Sequence, residues 1–105
     1  MQIIFHRDIA EQIKDKYLVL ELETFEVEGK LLETFCVVPP ESVPLNEIPL
    51  LDKHTALHSE FIKNLKIKNY QFCVAAAEHL TGKFGGELDS FYAIIVGRAQ
   101  QELAG

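Results

Sequence analysis

His54 and His58 stand four residues apart in DKHTALHSE. On a helix that spacing brings both imidazoles to one face, close enough to share a metal ion. Asp52, Glu60, Glu78 or His79 would have to complete such a site, and nothing in the spacing selects among them. Thr55 follows His54 where the metalloprotease HExxH pattern carries its general-base glutamate. Glu78 and His79 are adjacent and not three apart, as the ExxH pair of di-iron bundles requires. His54 and His58 are thus the metal candidates of this chain, set against a plainer reading. In that reading they border the apolar stripe Leu57, Phe61, Leu65, and one of them is hydrogen-bonded. The plainer reading is the expectation, with no cofactor.

Nucleophilic chemistry has less support. Cys73 lies six residues before His79, which is not a helical neighbour spacing, and its setting in QFCVAAA is apolar. Such surroundings suppress the thiolate on which a cysteine nucleophile depends. Glu21 and Glu23 alternate on a strand-like segment, with Glu33 on the facing segment. Paired carboxylates perform acid–base chemistry, yet glutamates in an exposed alternation are usually a solvated face. The stretch TGKFGG has glycines and a lysine but follows a helical segment and lacks P-loop spacing, so it reads as a helix stop. Lys63, Lys66 and Lys68 form a modest basic patch at a helix C-terminus, where cations suit the dipole. Without interleaved aromatics or arginines it makes a poor nucleic-acid footprint.

The elements that must position these residues are organised around a β-hairpin at 17–38. Its two segments, YLVLELETFEV and LLETFCVV, join across Glu28 and Gly29. Glycine supplies the positive φ of a two-residue hairpin loop. A regular ladder from that loop pairs Val27 with Lys30, Phe25 with Leu32, Leu22 with Phe35 and Leu20 with Val37. Alternation then places Leu18, Leu20, Leu22, Phe35 and Val37 on one face. Val19, Phe25, Val27, Leu32, Cys36 and Val38 fall on the other.

Before the hairpin, Gln2 to His6 has strand character, and Asp8 with Glu11 suggests a capping box for a short helix at 9–16. Its stripe is Ile9, Ile13 and Tyr17. After the hairpin, Pro39 and Pro40 stop the second strand, and PPESVPLNEIP reads as an irregular connector packed on the domain. The apolar period then becomes helical. It predicts helices at 51–66, 69–83 and 87–103, the last with a stripe of Leu88, Phe91, Tyr92, Ile95 and Ala99. Within that last helix, FYAIIV would also serve as a buried strand. The expected fold is α+β, one domain over 1–105: a small, mainly antiparallel sheet, one short N-terminal helix and three C-terminal helices.

Of the 105 residues 48% are hydrophobic, and the net charge is −6. Residues 1–52 hold eleven acids and four bases, while 53–105 hold five acids and six bases. This acidic balance argues against nucleic acid or an anionic membrane as partner. No apolar run reaches the roughly 18 residues of a membrane span, and MQIIFHRD lacks the pattern of a secretory signal. Cys36 and Cys73 read as buried free thiols, and the expected compartment is the cytoplasm. Taken together, these readings favour a non-catalytic interaction or structural module that self-associates as a dimer, with Ile94 or Phe25 near the interface. The alternative is a metal-dependent or small-ligand enzyme using His54, His58 and acidic neighbours.

Overall fold

A computed structural model describes residues 2–105. It has the expected α+β class: a three-stranded antiparallel sheet and four helices. In chain order these are β1 (Gln2–Ile4), α1 (Arg7–Ile13), β2 (Leu18–Val27), β3 (Lys30–Val38), α2 (Leu51–Lys66), α3 (Tyr70–Leu80) and α4 (Asp89–Ala104). Short 3-10 turns occupy Pro40–Ser42, Leu45–Leu50 and Phe84–Gly86.

The hairpin loop is the two-residue one that the sequence predicts. Glu28 and Gly29 both have positive φ, 52° and 79°, the backbone that matches the twist of the flanking strands. Val27 accordingly faces Lys30, and Phe25 faces Leu32. Farther from the loop the register differs from the regular ladder. Glu21 lies opposite Phe35, and Leu20 opposite Cys36, with the shift falling between Glu21 and Thr24. Leu22 and Glu23 therefore face Thr34 alone, which is a β-bulge. The Thr34 hydroxyl donates to the Glu23 carbonyl at 2.6 Å, satisfying a backbone group at the break.

The bulge corrects the expected division of faces. Directly opposed residues share a face, so Leu20 lies with Cys36, and Leu22 and Val38 lie on that face by alternation. Beyond the bulge the phase of β2 moves by one, and Phe25 and Val27 join the same side. Phe35 and Val37 lie opposite, with Glu21 and Val19. The physical reason is burial. A regular ladder would separate Leu20 and Leu22 from Cys36 and Val38, whereas all four are buried in one cluster. Each large apolar side chain buried is worth about 1.5–3 kcal/mol, against about 0.5–1.5 kcal/mol net for a ladder bond.

β1 completes the sheet on the other side of β3, pairing Ile3 with Cys36 and Ile4 with Phe35, in the order β1-β3-β2. The helices α2, α3 and α4 cover the face of Leu20 and Cys36 through the stripes the periodicity predicts. Phe61, Ile62 and Leu65 come from α2, Cys73, Ala77 and Leu80 from α3, and Phe91, Tyr92 and Ile95 from α4, with Leu88 just before it. The 91–96 stretch is helical: Phe91, Tyr92, Ile95 and Ala99 are buried while Ala93 and Ile94 are exposed, a period near 3.6.

Three boundaries depart from expectation. The first helix spans Arg7–Ile13 and not 9–16, and no side chain caps it. The capping box does not form, because the Glu11 carboxylate accepts from Lys14 at 2.6 Å. Ala10 is its buried residue, while Ile9 and Tyr17 are exposed. On this side Arg7 stacks its guanidinium 5.3 Å from the Phe35 ring centre, covering the sheet's second face. The third helix stops at Leu80 and the fourth starts at Asp89, because the glycine turn between them takes positive φ. At Gly85 (φ 68°) a Cβ would lie 2.1 Å from the Ser42 carbonyl oxygen, so this turn packs directly on the connector after β3.

The bulged register makes a ranked prediction for chemical denaturation. Leu22→Ala should cost about 2–5 kcal/mol, and Leu31→Ala, on an exposed site, no more than about 0.5 kcal/mol. Gly85→Ala should be clearly destabilising despite adding only a methyl group. If Leu31→Ala were the costlier of the two leucine changes, the assigned faces of the hairpin would be wrong.

Candidate functional site

The two histidines of α2 have different fates. His58 is 2% exposed and both of its ring nitrogens are engaged. Nε2 lies 2.6 Å from the Glu21 carbonyl oxygen, and Nδ1 lies 2.7 Å from the Tyr92 hydroxyl. A carbonyl only accepts, so Nε2 carries the proton and Nδ1 accepts from the tyrosine. The result is a relay from Tyr92 on α4 through His58 on α2 to the backbone of β2. The rings of Phe61, Phe84 and Tyr92 surround the imidazole at centroid distances of 6.2, 6.2 and 5.8 Å. Burial pulls the His58 pKa below 6.5, opposed by its bond to the Glu21 carbonyl. Burial likewise pushes the Tyr92 hydroxyl well above the phenol range. The neutral relay is the state this geometry holds.

One turn earlier, His54 sits at the rim of an open cleft that His79, Glu78, Lys53 and Lys83 also line. Its Nδ1 is buried without a hydrogen-bond partner, and its ring meets Phe84 edge-on at 6.3 Å. The i,i+4 pair is thus divided between the interior and a cleft. Among the described residues no group of three or more His, Cys, Asp or Glu side chains is placed to hold a metal ion.

The sheet carboxylates are held in ion pairs: Glu21 by Lys66 at 2.6 Å and more distantly by Arg7 at 3.9 Å, Glu23 by Arg98 at 2.5 and 3.1 Å, and Glu33 by Arg7 at 2.5 Å. The hydrogen bond from Arg7 holds the Glu33 pKa below its ordinary value. Lys63 reaches Glu60 at 3.5 Å, so two of the three lysines of the basic patch are paired within the chain. Cys36 and Cys73 are free and fully buried. Burial pushes the Cys36 thiol up to about 11 and raises that of Cys73. Cys73 donates to the Phe61 carbonyl at 3.7 Å, while His79 is exposed. TGKFGG is a turn as read: the Gly82 N–H donates to Asp89 Oδ1 at 2.8 Å.

A second surface, on the sheet side of α4, is also left without an internal use. Between α4 and the sheet lies an open apolar groove of about 290 Å³. Ile3, Phe5, Leu22, Phe25, Phe91 and Ile94 line it, with the Glu23–Arg98 ion pair at its margin. Phe5 is 50% exposed, Phe25 46% and Ile94 63%. In the sequence Phe25 and Ile94 stand out separately, and the fold brings them into one groove. Ile3 and Phe5 do not stand out there. Their signal was the two-residue spacing in QIIF, which sets both on the strand face that Cys36 shares.

The relay makes stability depend on pH with a definite sign. With its folded pKa lowered, His58 binds more protons unfolded than folded as the pH falls below 6.5. Stability from this group is therefore fully present above that value and declines on acidification through the lower folded pKa. Denaturation curves between pH 7 and 5 should show the decline, and His58→Gln should reduce the slope. Tyr92→Phe strands Nδ1 and should cost about 1–3 kcal/mol. An unchanged slope in His58→Gln would mean that this relay does not carry the titration. A second expectation concerns the thiols: Cys36 and Cys73 should resist a thiol reagent until the protein is unfolded. Fast labelling of the native protein would contradict their burial.

No family model, no curated protein and no solved structure matches the chain.

Proposed function

We propose that this chain is a cytoplasmic, non-catalytic interaction module, and that two copies meet at the groove between the hairpin and α4. The observation that carries the reading is the half-exposed set Phe5, Phe25 and Ile94 on one continuous apolar surface. Exposed apolar surfaces that extend beyond a few hundred Å² are uncommon on monomers and usually mark an interface. Homo-oligomers most often close as two-fold dimers, in which such a surface meets its own copy.

Charge permits a second copy as the occupant at this groove. Two chains of net charge −6 repel across most of their surfaces. The groove contributes only the Glu23–Arg98 pair, which is internally neutral. Apart from His54, the groups that suggested catalysis have internal uses: His58 is a core hydrogen-bond partner, and Glu21, Glu23 and Glu33 are ion-pair partners. The free, buried state of both thiols fits the compartment.

Sedimentation equilibrium tests the reading. At tens of micromolar the protein should have twice the chain mass, and Ile94→Glu should return it to one. A monomer in the wild type would overturn the proposal. Stoichiometric zinc in the purified protein, lost in His54→Ala, would replace it with the metal-dependent reading and make the His54 cleft the site.

A further inference from the structure

The sheet has two edges, β1 and β2, and they differ in how far they invite another strand. Along β2 the usual obstacles to pairing are present. The strand carries the bulge, three glutamates (Glu21, Glu23 and Glu26), and a carbonyl at Glu21 that His58 already occupies. On β1, Gln2–Ile4 has no charge, no proline and no bulge, and its strand partner is β3 alone. Among the described residues, what protects this edge is its shortness.

From this contrast we infer that two copies join through β1, edge to edge across a two-fold axis, making one continuous six-stranded antiparallel sheet. Ile3 and Phe5 of each copy then lie against the groove of the other. The inference rests on the self-association proposed above and specifies its geometry. An antiparallel pair of identical strands is self-complementary, so the symmetry of the interface is met without further adjustment. Ile3 faces the same side of the sheet as Cys36. Phe5, two residues on, lines the groove with it. Each copy therefore presents an apolar knob and the hollow that receives one, side by side.

The area is securely sufficient only if both features take part. Three residues of strand offer few hydrogen bonds, so side-chain burial must supply the rest. Ile3, Phe5, Phe25 and Ile94 are 42%, 50%, 46% and 63% exposed. Large side chains bury on the order of 150–250 Å² each, so these four leave on the order of 300–500 Å² per copy. Doubled, and with the edge backbone and its flanking residues, that reaches the roughly 1,000 Å² of a specific interface. A dimer formed by the groove without the strand edge would reach it only at the top of that range.

Site-directed cross-linking distinguishes this arrangement from other dimers. The native thiols are buried, so an introduced surface cysteine is the reactive one. Gln2→Cys, treated with a short bismaleimide at tens of micromolar, should give a covalent dimer. Ile67→Cys, 73% exposed and outside the groove, should stay monomeric on denaturing gels. In parallel, Ile3→Lys should shift the sedimenting mass from dimer to monomer, while Leu31→Lys, 75% exposed and also outside the groove, should leave it unchanged. A dimer that survives Ile3→Lys and fails to cross-link at Gln2→Cys keeps self-association and overturns strand pairing. A wild-type monomer overturns both. Should Ile3→Lys fail to fold, the cross-link in the otherwise native chain decides.

Discussion

The arrangement of this chain depends on the bulge at Leu22 and Glu23. The apolar positions of β2 occupy one parity up to Leu22 and the other from Phe25 onward. A strand of unbroken alternation would have to send one group to each face. The extra residue brings them to one side and sets Leu20 and Leu22 beside Cys36 and Val38, where three helices can seal them. Thr34 supplies the hydrogen bond that the break in the ladder withholds. A bulge also bends and twists its strand, and the part of the hairpin beyond this one extends past the cover of α4.

His58 is the second consequence of that geometry. With β2 at an edge, its outward carbonyls need partners, and the α2 imidazole serves Glu21 while holding Tyr92 of α4. One side chain thereby ties the edge strand to two helices inside the core. Each buried polar atom in the relay has a partner in the neutral state, which makes the connection specific as well as stabilising. Protonation would place a second donor at Nδ1, against a hydroxyl that already donates there.

Outside the core, ion pairs fasten the helices to the sheet. Arg7 of α1 reaches Glu33, Lys66 of α2 reaches Glu21, and Arg98 of α4 reaches Glu23. These are partly exposed pairs, worth little individually. Their joint effect is on placement: three cations, one from each of three helices, neutralise three of the acids concentrated in the first half of the chain. The uncovered end of the hairpin has no such partner. Its apolar side chains remain the part of the fold that a second copy is proposed to complete.

Fold class, helix stripes and the hairpin loop were legible in the sequence because each depends on neighbours within a few residues. The period of Leu57, Phe61 and Leu65 located α2, and Gly29 beside Glu28 defined the loop. The buried thiols were legible from their apolar settings. The registry of the hairpin was not, although the break in parity between Leu22 and Phe25 marked it, because a bulge is selected by the burial of both strands under helices remote in the chain. The short first helix was misplaced for a similar reason: Ala10 and Arg7 are fixed by Phe35 and Glu33, not by a local cap. For the candidate site, the sequence supplied Phe25 and Ile94 as apolar residues in excess of one docking face. It also supplied His54 and His58 as a pair. Only the tertiary structure decided that His58 turns inward to Tyr92, 34 residues away, and that Ile3, Phe5, Phe25 and Ile94 share one groove. Those outcomes follow from packing between distant segments, where a side chain's role is determined by what the rest of the chain leaves beside it.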